Sequence, residues 1–251
     1  HGATNQIYQN AEEFYRAENG HAIGYFWGYK TAGLFQNQKE INDWIAAGNG
    51  IYQADVKPGD VKYVDVNHDG VINASDKVDL GNGLPKYTFG FNFSLAWKGF
   101  DLSANFTGAA GFQIAQSYRD PSSSQANYSR RILKRWTGEG TSNEIPRVTY
   151  GDVGNWLFSD LYLQDGDYIR LQNLTMGYDF KKLISWKGLS KMRLYFQVQN
   201  LFTLTKYDGM DPEIGSFNGT DGNSSDSWVS GVDMGYYPHP RTFIVGLNLA
   251  F

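Results

Sequence analysis

Residues 86–106 read KYTFGFNFSLAWKGFDLSANF. In the first arm Tyr87, Phe89, Phe91, Phe93, Leu95 and Trp97 alternate with Lys86, Thr88, Gly90, Asn92, Ser94 and Ala96. The second arm sets Phe100, Leu102, Ala104 and Phe106 against Asp101, Ser103 and Asn105. Strict alternation is the mark of a strand, because successive side chains point to opposite faces. Lys98-Gly99 is a two-residue connection, so the arms form a hairpin. The first arm is near the roughly 9–11 residues that a tilted strand needs to cross a bilayer. Its apolar face carries aromatics at both ends, Tyr87 and Trp97, as in the aromatic girdles of membrane barrels. Its other face is small and polar, which suits a wet lumen.

Composition agrees with long strands and Gly-rich loops. Of 251 residues, 16% are aromatic and 29 are glycine. Mean hydropathy is −0.47 and no stretch approaches the roughly 18 apolar residues of a membrane helix. Alternating strands dilute hydropathy, so a barrel is compatible with that value. A net charge of −4 without a basic run argues against nucleic acid as a partner. With no cysteine, disulfides and thiolate chemistry are excluded. The chain opens at His1 without an export signal. It is therefore expected to be processed, or to be a portion of a longer protein.

Six strands are expected, at 23–36, 86–97, 100–109, 168–180, 191–202 and 241–251. NAEEFYRAENG (10–20) reads as a short helix or a connector. NQKEINDWIAAG (37–48) reads as a short surface helix with Asn37 as N-cap, Glu40 three residues on, and Gly48 past its end. A further short helix is expected in SRRILKRW (129–136), and a short extended piece ends in VKYV (61–64). The connections at 98–99 and 181–190 are short, and those at about 37–85, 109–167 and 203–240 are long. Short and long alternate along a meander, which places all short links at one rim, as in outer-membrane barrels. Single-chain barrels of that kind start at eight strands, and an open sheet in hydrocarbon leaves backbone groups unsatisfied. The chain is therefore read as all-β and as part of a larger barrel.

The stretches GYFWGYKTAGLFQ (24–36), VKYVDVNHDGVIN (61–73), GLPKYTFGFNFSLAWKGFDLS (83–103), DYIRLQNLTMGYDF (167–180), QNLFTLTKYDGMDPEIG (199–215) and GYYPHPRTFIVGLNLAF (235–251) resemble the C-terminal part of a SusC-like TonB-dependent outer-membrane transporter. The resemblance spans nearly the whole chain. It implies that residues 1–251 supply the last six strands of a twenty-two-stranded barrel that imports a glycan or peptide across the outer membrane. It also implies partners: the N-terminal plug and barrel segment, the TonB system acting through that segment, outer-membrane lipid, and a SusD-like lipoprotein lid. Nothing here matches the plug or the TonB box. A secreted calcium-binding β-sandwich that binds glycans is the competing reading.

DVNHDGVINASD (65–76) places Asp65, Asn67 and Asp69 at loop positions 1, 3 and 5, Gly70 at 6, Val71 with its carbonyl at 7, and Asp76 at 12. Alternate oxygen side chains converging on a hard cation, with a glycine at the sharp turn, are the calcium-loop pattern. Asp76 departs from it, since an EF-hand has a longer Glu there. A metal-free loop of Asx turns is the alternative. Trp44, Trp136, Trp156, Phe158, Trp228, Tyr236 and Tyr237 are candidates to contact substrate or the lipoprotein lid, with packing inside the loops as the plainer reading of any one of them. Arg130, Arg131, Lys134 and Arg135 are expected to face solvent or pair with acids. The four histidines are scattered, and no nucleophile, phosphate-loop or paired-carboxylate motif stands out, so no catalytic residue is assigned.

Overall fold

The computed structural model describes residues 14–116, 130–149, 154–184, 186–215 and 230–251. Its strands in chain order are β1 (Tyr15–Arg16), β2 (Tyr25–Tyr29), β3 (Thr31–Leu34), β4 (Val61–Tyr63), β5 (Lys77–Asn82), β6 (Tyr87–Trp97), β7 (Phe100–Ala110), β8 (Gln113–Gln116), β9 (Leu163–Asp165), β10 (Tyr168–Asp179), β11 (Lys191–Thr205), β12 (Val232–Asp233) and β13 (Thr242–Ala250). One α-helix, α1 (Gln38–Ala46), and several 3-10 turns complete the described elements. No helix among the described residues is long and apolar enough to cross a membrane, which leaves open crossing by strands.

The chain divides into two compact units. One holds residues 85–112, 165–213 and 236–251, and is a five-stranded antiparallel sheet in the order β13-β11-β10-β7-β6. Its strands have 9–15 residues, enough to span hydrocarbon. The hairpin stands where its alternation placed it. Trp97 pairs with Phe100, and Lys98 (φ 47°) and Gly99 (φ 99°) make the positive-φ turn. The Asp179 N–H donates to the Gly99 carbonyl at 2.8 Å, so the turn and the end of β10 lie at one rim. Between Leu171 and Asn173 the register shifts, so Leu171 and Leu174 keep one face although they are three residues apart.

The other unit holds residues 1–84, 113–164 and 214–235, which include most of the long connections between those strands. It contains the sheets β1-β2-β5, β12-β8-β9 and β3-β4. One core cluster gathers Tyr15, Phe26, Ala115 and Val232; another gathers Tyr29, Leu34, Val61, Tyr63 and Ile72. Helix α1 begins as expected: the Asn37 side chain accepts the Glu40 N–H at 2.9 Å. SRRILKRW forms a 3-10 turn over Arg130–Lys134. The possible helix at 10–20 is not formed over its described part, where Tyr15 and Arg16 pair with β2.

One expected barrel strand is corrected. Residues 23–36 do not join the five-stranded sheet but divide into β2 and β3, in two different sheets. Tyr25, Phe26, Gly28 and Tyr29 are all buried, so both faces are covered by protein. A Cβ on Gly28 would lie 2.6 Å from the Phe158 carbonyl oxygen, so the strand packs directly on that backbone. Aromatic density there reports a two-sided core. The chain thus contributes five strands to this sheet rather than six.

Candidate functional site

The register of the five-stranded sheet builds two unlike surfaces. Facing one way, row by row across the strands, are Phe91, Phe106, Leu171 and Phe202; Phe93, Ala104, Leu174, Val198 and Phe243; Leu95, Leu102, Met176, Phe196 and Val245; and Trp97, Phe100, Tyr178, Leu194 and Leu247. Few of these are covered: Phe91 is 59% exposed, Leu95 54%, Phe243 61% and Val245 72%. An apolar surface of this extent is a binding surface for something apolar. Aromatic residues collect at the short-link rim, where Trp186 meets Phe251 edge-on at 6.2 Å and Phe100 lies 4.4 Å from Tyr178.

The opposite surface is polar. Its rows include Asn92, Asn105, Asn173, Gln199 and Thr242, then Ser94, Ser103, Thr175, Gln197 and Ile244. Toward the short-link rim Arg193 donates to Asp101 through Nε at 2.8 Å and through a terminal nitrogen at 2.5 Å. Gly177 stands opposite Asp101 and Tyr195 in the register, directly beneath the pair, and a Cβ there would be 2.6 Å from both Arg193 and Asp101, so only a bare backbone lets the pair close. Toward the long-link rim Arg170, between Thr107 and Thr203, is 3% exposed. Its Nε donates to Thr203 Oγ1 at 3.0 Å, and its terminal nitrogens donate to Asp211 and, at 2.8 Å, to Glu213. Asp211 also accepts the His239 N–H at 3.0 Å and meets the His239 ring at 2.9 Å. Burial pushes the Asp211 carboxyl up, but the N–H groups of His239 and Glu213, the His239 ring and the Arg170 charge outweigh it and hold it below the usual carboxylate range. Asp211, Glu213 and His239 are close enough together to hold a metal ion, yet the Arg170 guanidinium already fills the cation's place.

The 65–76 loop is folded by its own side chains. Asp65 is buried and accepts the Gly70 N–H at 2.7 Å and the Asp69 N–H at 3.3 Å. Asn67 accepts the Asp69 N–H at 3.0 Å, and Asp69 the Val71 N–H at 2.9 Å. Burial raises the Asp65 carboxyl, but the N–H groups of Gly70, His68 and Asp69 more than offset it, so it stays ionised. Asp76 is fully buried and joins the loop's ends, accepting from Val66 at 2.9 Å and from Asn73 at 2.8 Å. Each carboxylate oxygen so engaged keeps a lone pair, and the side chains at positions 1, 3 and 5 are those a hard cation takes.

Of the aromatic candidates, most are packed. Trp44 donates to the Gly50 carbonyl at 3.2 Å and meets Phe35 edge-on. Trp136 lies over Gly59 and donates to Gln36 at 3.3 Å, and Trp156 is half-buried. Phe158 sits 4.8 Å from Phe14 in the first core cluster. Tyr236 and Tyr237 are exposed, Tyr237 by 89%. Trp228 lies outside the described residues. Two polar centres had no local signal in the sequence: the Arg170–Asp211 hub and Asp60, which is 1% exposed. Asp60 takes two hydrogen bonds from Arg147, at 2.6 and 3.1 Å, with others from Asn155, Gln53 and the Lys57 N–H.

No family model matches the chain. It is 34% identical over 234 residues to TonB-dependent receptor P3 of Formosa agariphila, across 92% of this chain and 22% of that protein. It is 29% identical over 205 residues to TonB-dependent receptor SusC of Bacteroides thetaiotaomicron, across 80% of this chain and 18% of that one. Among solved structures, that of the RagAB peptide transporter matches with a TM-score of 0.68 at 20% identity, over 99% of this chain and 25% of that chain. The chain therefore spans about a fifth of the length of these curated relatives.

Proposed function

We propose that this chain, a segment of a SusC-like TonB-dependent receptor, supplies five strands of an outer-membrane barrel that imports a glycan or peptide nutrient. The observation that carries this reading is the two-faced sheet: an apolar face left bare and a face of amides and hydroxyls turned the other way. In a sandwich the apolar face would be covered by a second sheet, whereas among the described residues it stands exposed. In hydrocarbon the free edges of β6 and β13 need partners, and the remaining barrel strands of the receptor provide them. The plug and the TonB contact belong to that remaining part, and a SusD-like lipoprotein covers the outer mouth. The exposed Tyr236 and Tyr237 are the candidates for lid or substrate contact. The relatives are named as receptors rather than enzymes, and transport needs no catalytic residue from this chain.

Spin labels at Phe93, Met176, Phe196 and Val245 of the full-length receptor test this reading. They are expected to be broadened by lipid-soluble oxygen and not by a water-soluble nickel chelate. Water-type accessibility at all four would overturn it.

The 65–76 loop is proposed to bind Ca²⁺ through Asp65, Asn67, Asp69, the Val71 carbonyl and Asp76. Its effect would be to stiffen the connection between β4 and β5. Calorimetry with Ca²⁺ on the full-length receptor should show binding that Asp65→Ala removes. An absence of heat, together with an unchanged melting temperature in chelator, would refute the site.

A further inference from the structure

The connection after β11 does not leave the sheet freely. Thr205, Arg170 and Tyr168 all lie on the polar face, since Tyr168 pairs with Thr205 and Arg170 with Thr203. The Arg170 guanidinium stands 5.7 Å from the Tyr168 ring centre, and Asp211 is bonded to it. The residues Lys206–Glu213 must therefore turn back over the polar face rather than away from the rim. Tyr207 is 5% exposed, and the Tyr207 N–H donates to Thr205 Oγ1 at 3.1 Å, so the turn starts at once. Asp211 binds three parts of the chain together: Arg170 of β10, its own strap through the Glu213 N–H at 3.0 Å, and His239 just ahead of β13. Asn200 of β11 adds a bond to the Pro240 carbonyl at 3.0 Å.

We propose that Lys206–Glu213 is an inward-folded strap, latched to the lumen wall by the Arg170–Asp211 ion pair, that narrows the passage beside β10 and β11. The proposal rests on the barrel reading, which makes the polar face a lumen. Three features favour a latch over a general packing contact. Arg170 and Asp211 are both almost fully buried, with side-chain exposures of 3% and 7%, so losing either partner strands the other charge out of water. The next rows of the same face, from Asn92 to Thr242 and from Ser94 to Ile244, hold no charged residue, so the strap has one charged anchor on this part of the wall. Met210, next to the anchor, is 65% exposed, so the buried apolar contact of the strap is limited to Tyr207 at its start and Pro212 beside Asp211.

The test is a distance measurement between spin labels in the full-length receptor, one at Met210 and one at Asn105 on the wall. The segment itself contains no cysteine to interfere. The latched receptor is expected to give one narrow distance distribution. Asp211→Asn and Arg170→Met should each lengthen and broaden it, and the double variant should change it no more than either single one. An unchanged distribution in both single variants, or additive changes in the double variant, would overturn the latch. Should Arg170→Met fail to assemble, His239→Ala with Glu213→Gln loosens the same hub from its exposed side and is read by the same criterion. Lipid accessibility at Phe93, measured on the same preparations, distinguishes a failed latch from a failed barrel reading.

Discussion

Phe93 stands for every side chain on the apolar face. It pairs across the hairpin with Ala104, on a row that continues through Leu174 and Val198 to Phe243. A charge there would have to be buried in hydrocarbon, so Phe93→Arg is expected to destabilise the barrel by about 2–4 kcal/mol. Urea unfolding in lipid vesicles measures this, and an equal cost for Asn92→Arg, on the other face, would contradict the assignment. Asp211 makes a pH prediction. The groups facing it are Arg170, Glu213, His239 and, beneath the guanidinium, Tyr168. Its carboxyl titrates lower in the folded protein than in an unfolded chain. Its stabilising contribution is therefore complete above the usual carboxylate range, and is lost as pH falls through the depressed folded value. The Met210–Asn105 distance should accordingly stay narrow near neutrality and broaden in acid. Broadening on going alkaline instead, with nothing in acid, would show that Asp211 is not the controlling group.

Among the elements, the hairpin β6–β7 and helix α1 form from local chemistry, whereas the folding of the long connections depends on single buried charges. Asp60 is the clearest of these. It precedes β4 directly and gathers Gln53, Lys57, Arg147 and Asn155, residues up to 95 positions away. The Asn155 side chain also accepts the Val61 N–H at 2.9 Å, so the start of β4 is set by the same group. Asp60→Ala would remove the buried carboxylate on which Arg147, Asn155, Gln53 and the Lys57 N–H converge, at a cost of about 3–5 kcal/mol to this unit. Because no strand pairing of the five-stranded sheet involves Asp60, barrel assembly should survive. Limited proteolysis is the measurement: cleavage within 50–64 and 143–155 should rise while the strands stay protected. Equal protection in the variant and the parent would show that Asp60 is dispensable.

For the whole molecule, the sheet ends on two free edges. β13 pairs with β11 in the register Lys191–Ala250 to Gln199–Thr242, and among the described residues its other side meets no strand of this chain. β6 is exposed along all eleven residues and, among the described residues, pairs with β7 alone. Unpaired N–H and carbonyl groups in hydrocarbon cost several kcal/mol each, so closure has to come from further strands. Deleting Arg241–Phe251 should therefore abolish membrane assembly of the full receptor rather than weaken transport. A heat-modifiable band at normal abundance in the outer membrane after the deletion would refute that role for β13.

The alternation in KYTFGFNFSLAW, in Leu174–Tyr178, in Met192–Val198 and in Phe243–Leu249 was sufficient by itself to establish the strands, their two faces and their meander. Side-chain direction in a strand is a local property with a period of two. Asn37 and Glu40 marked α1 for the same reason, because a cap acts on its own first turn. What the tertiary structure decided is everything resting on contacts distant in the chain. Residues 23–36 had strand chemistry but not the alternation of a one-sided strand, and only packing against Phe158 showed that both faces are buried. Gln172 interrupts the period in β10, and only the register with β7 and β11 showed the face being kept across the shift. Arg170, Asp211 and His239 look like ordinary polar residues in their own stretches. They become a hub because the sheet brings together positions 41 and 28 residues apart, and burial then makes their charges depend on one another.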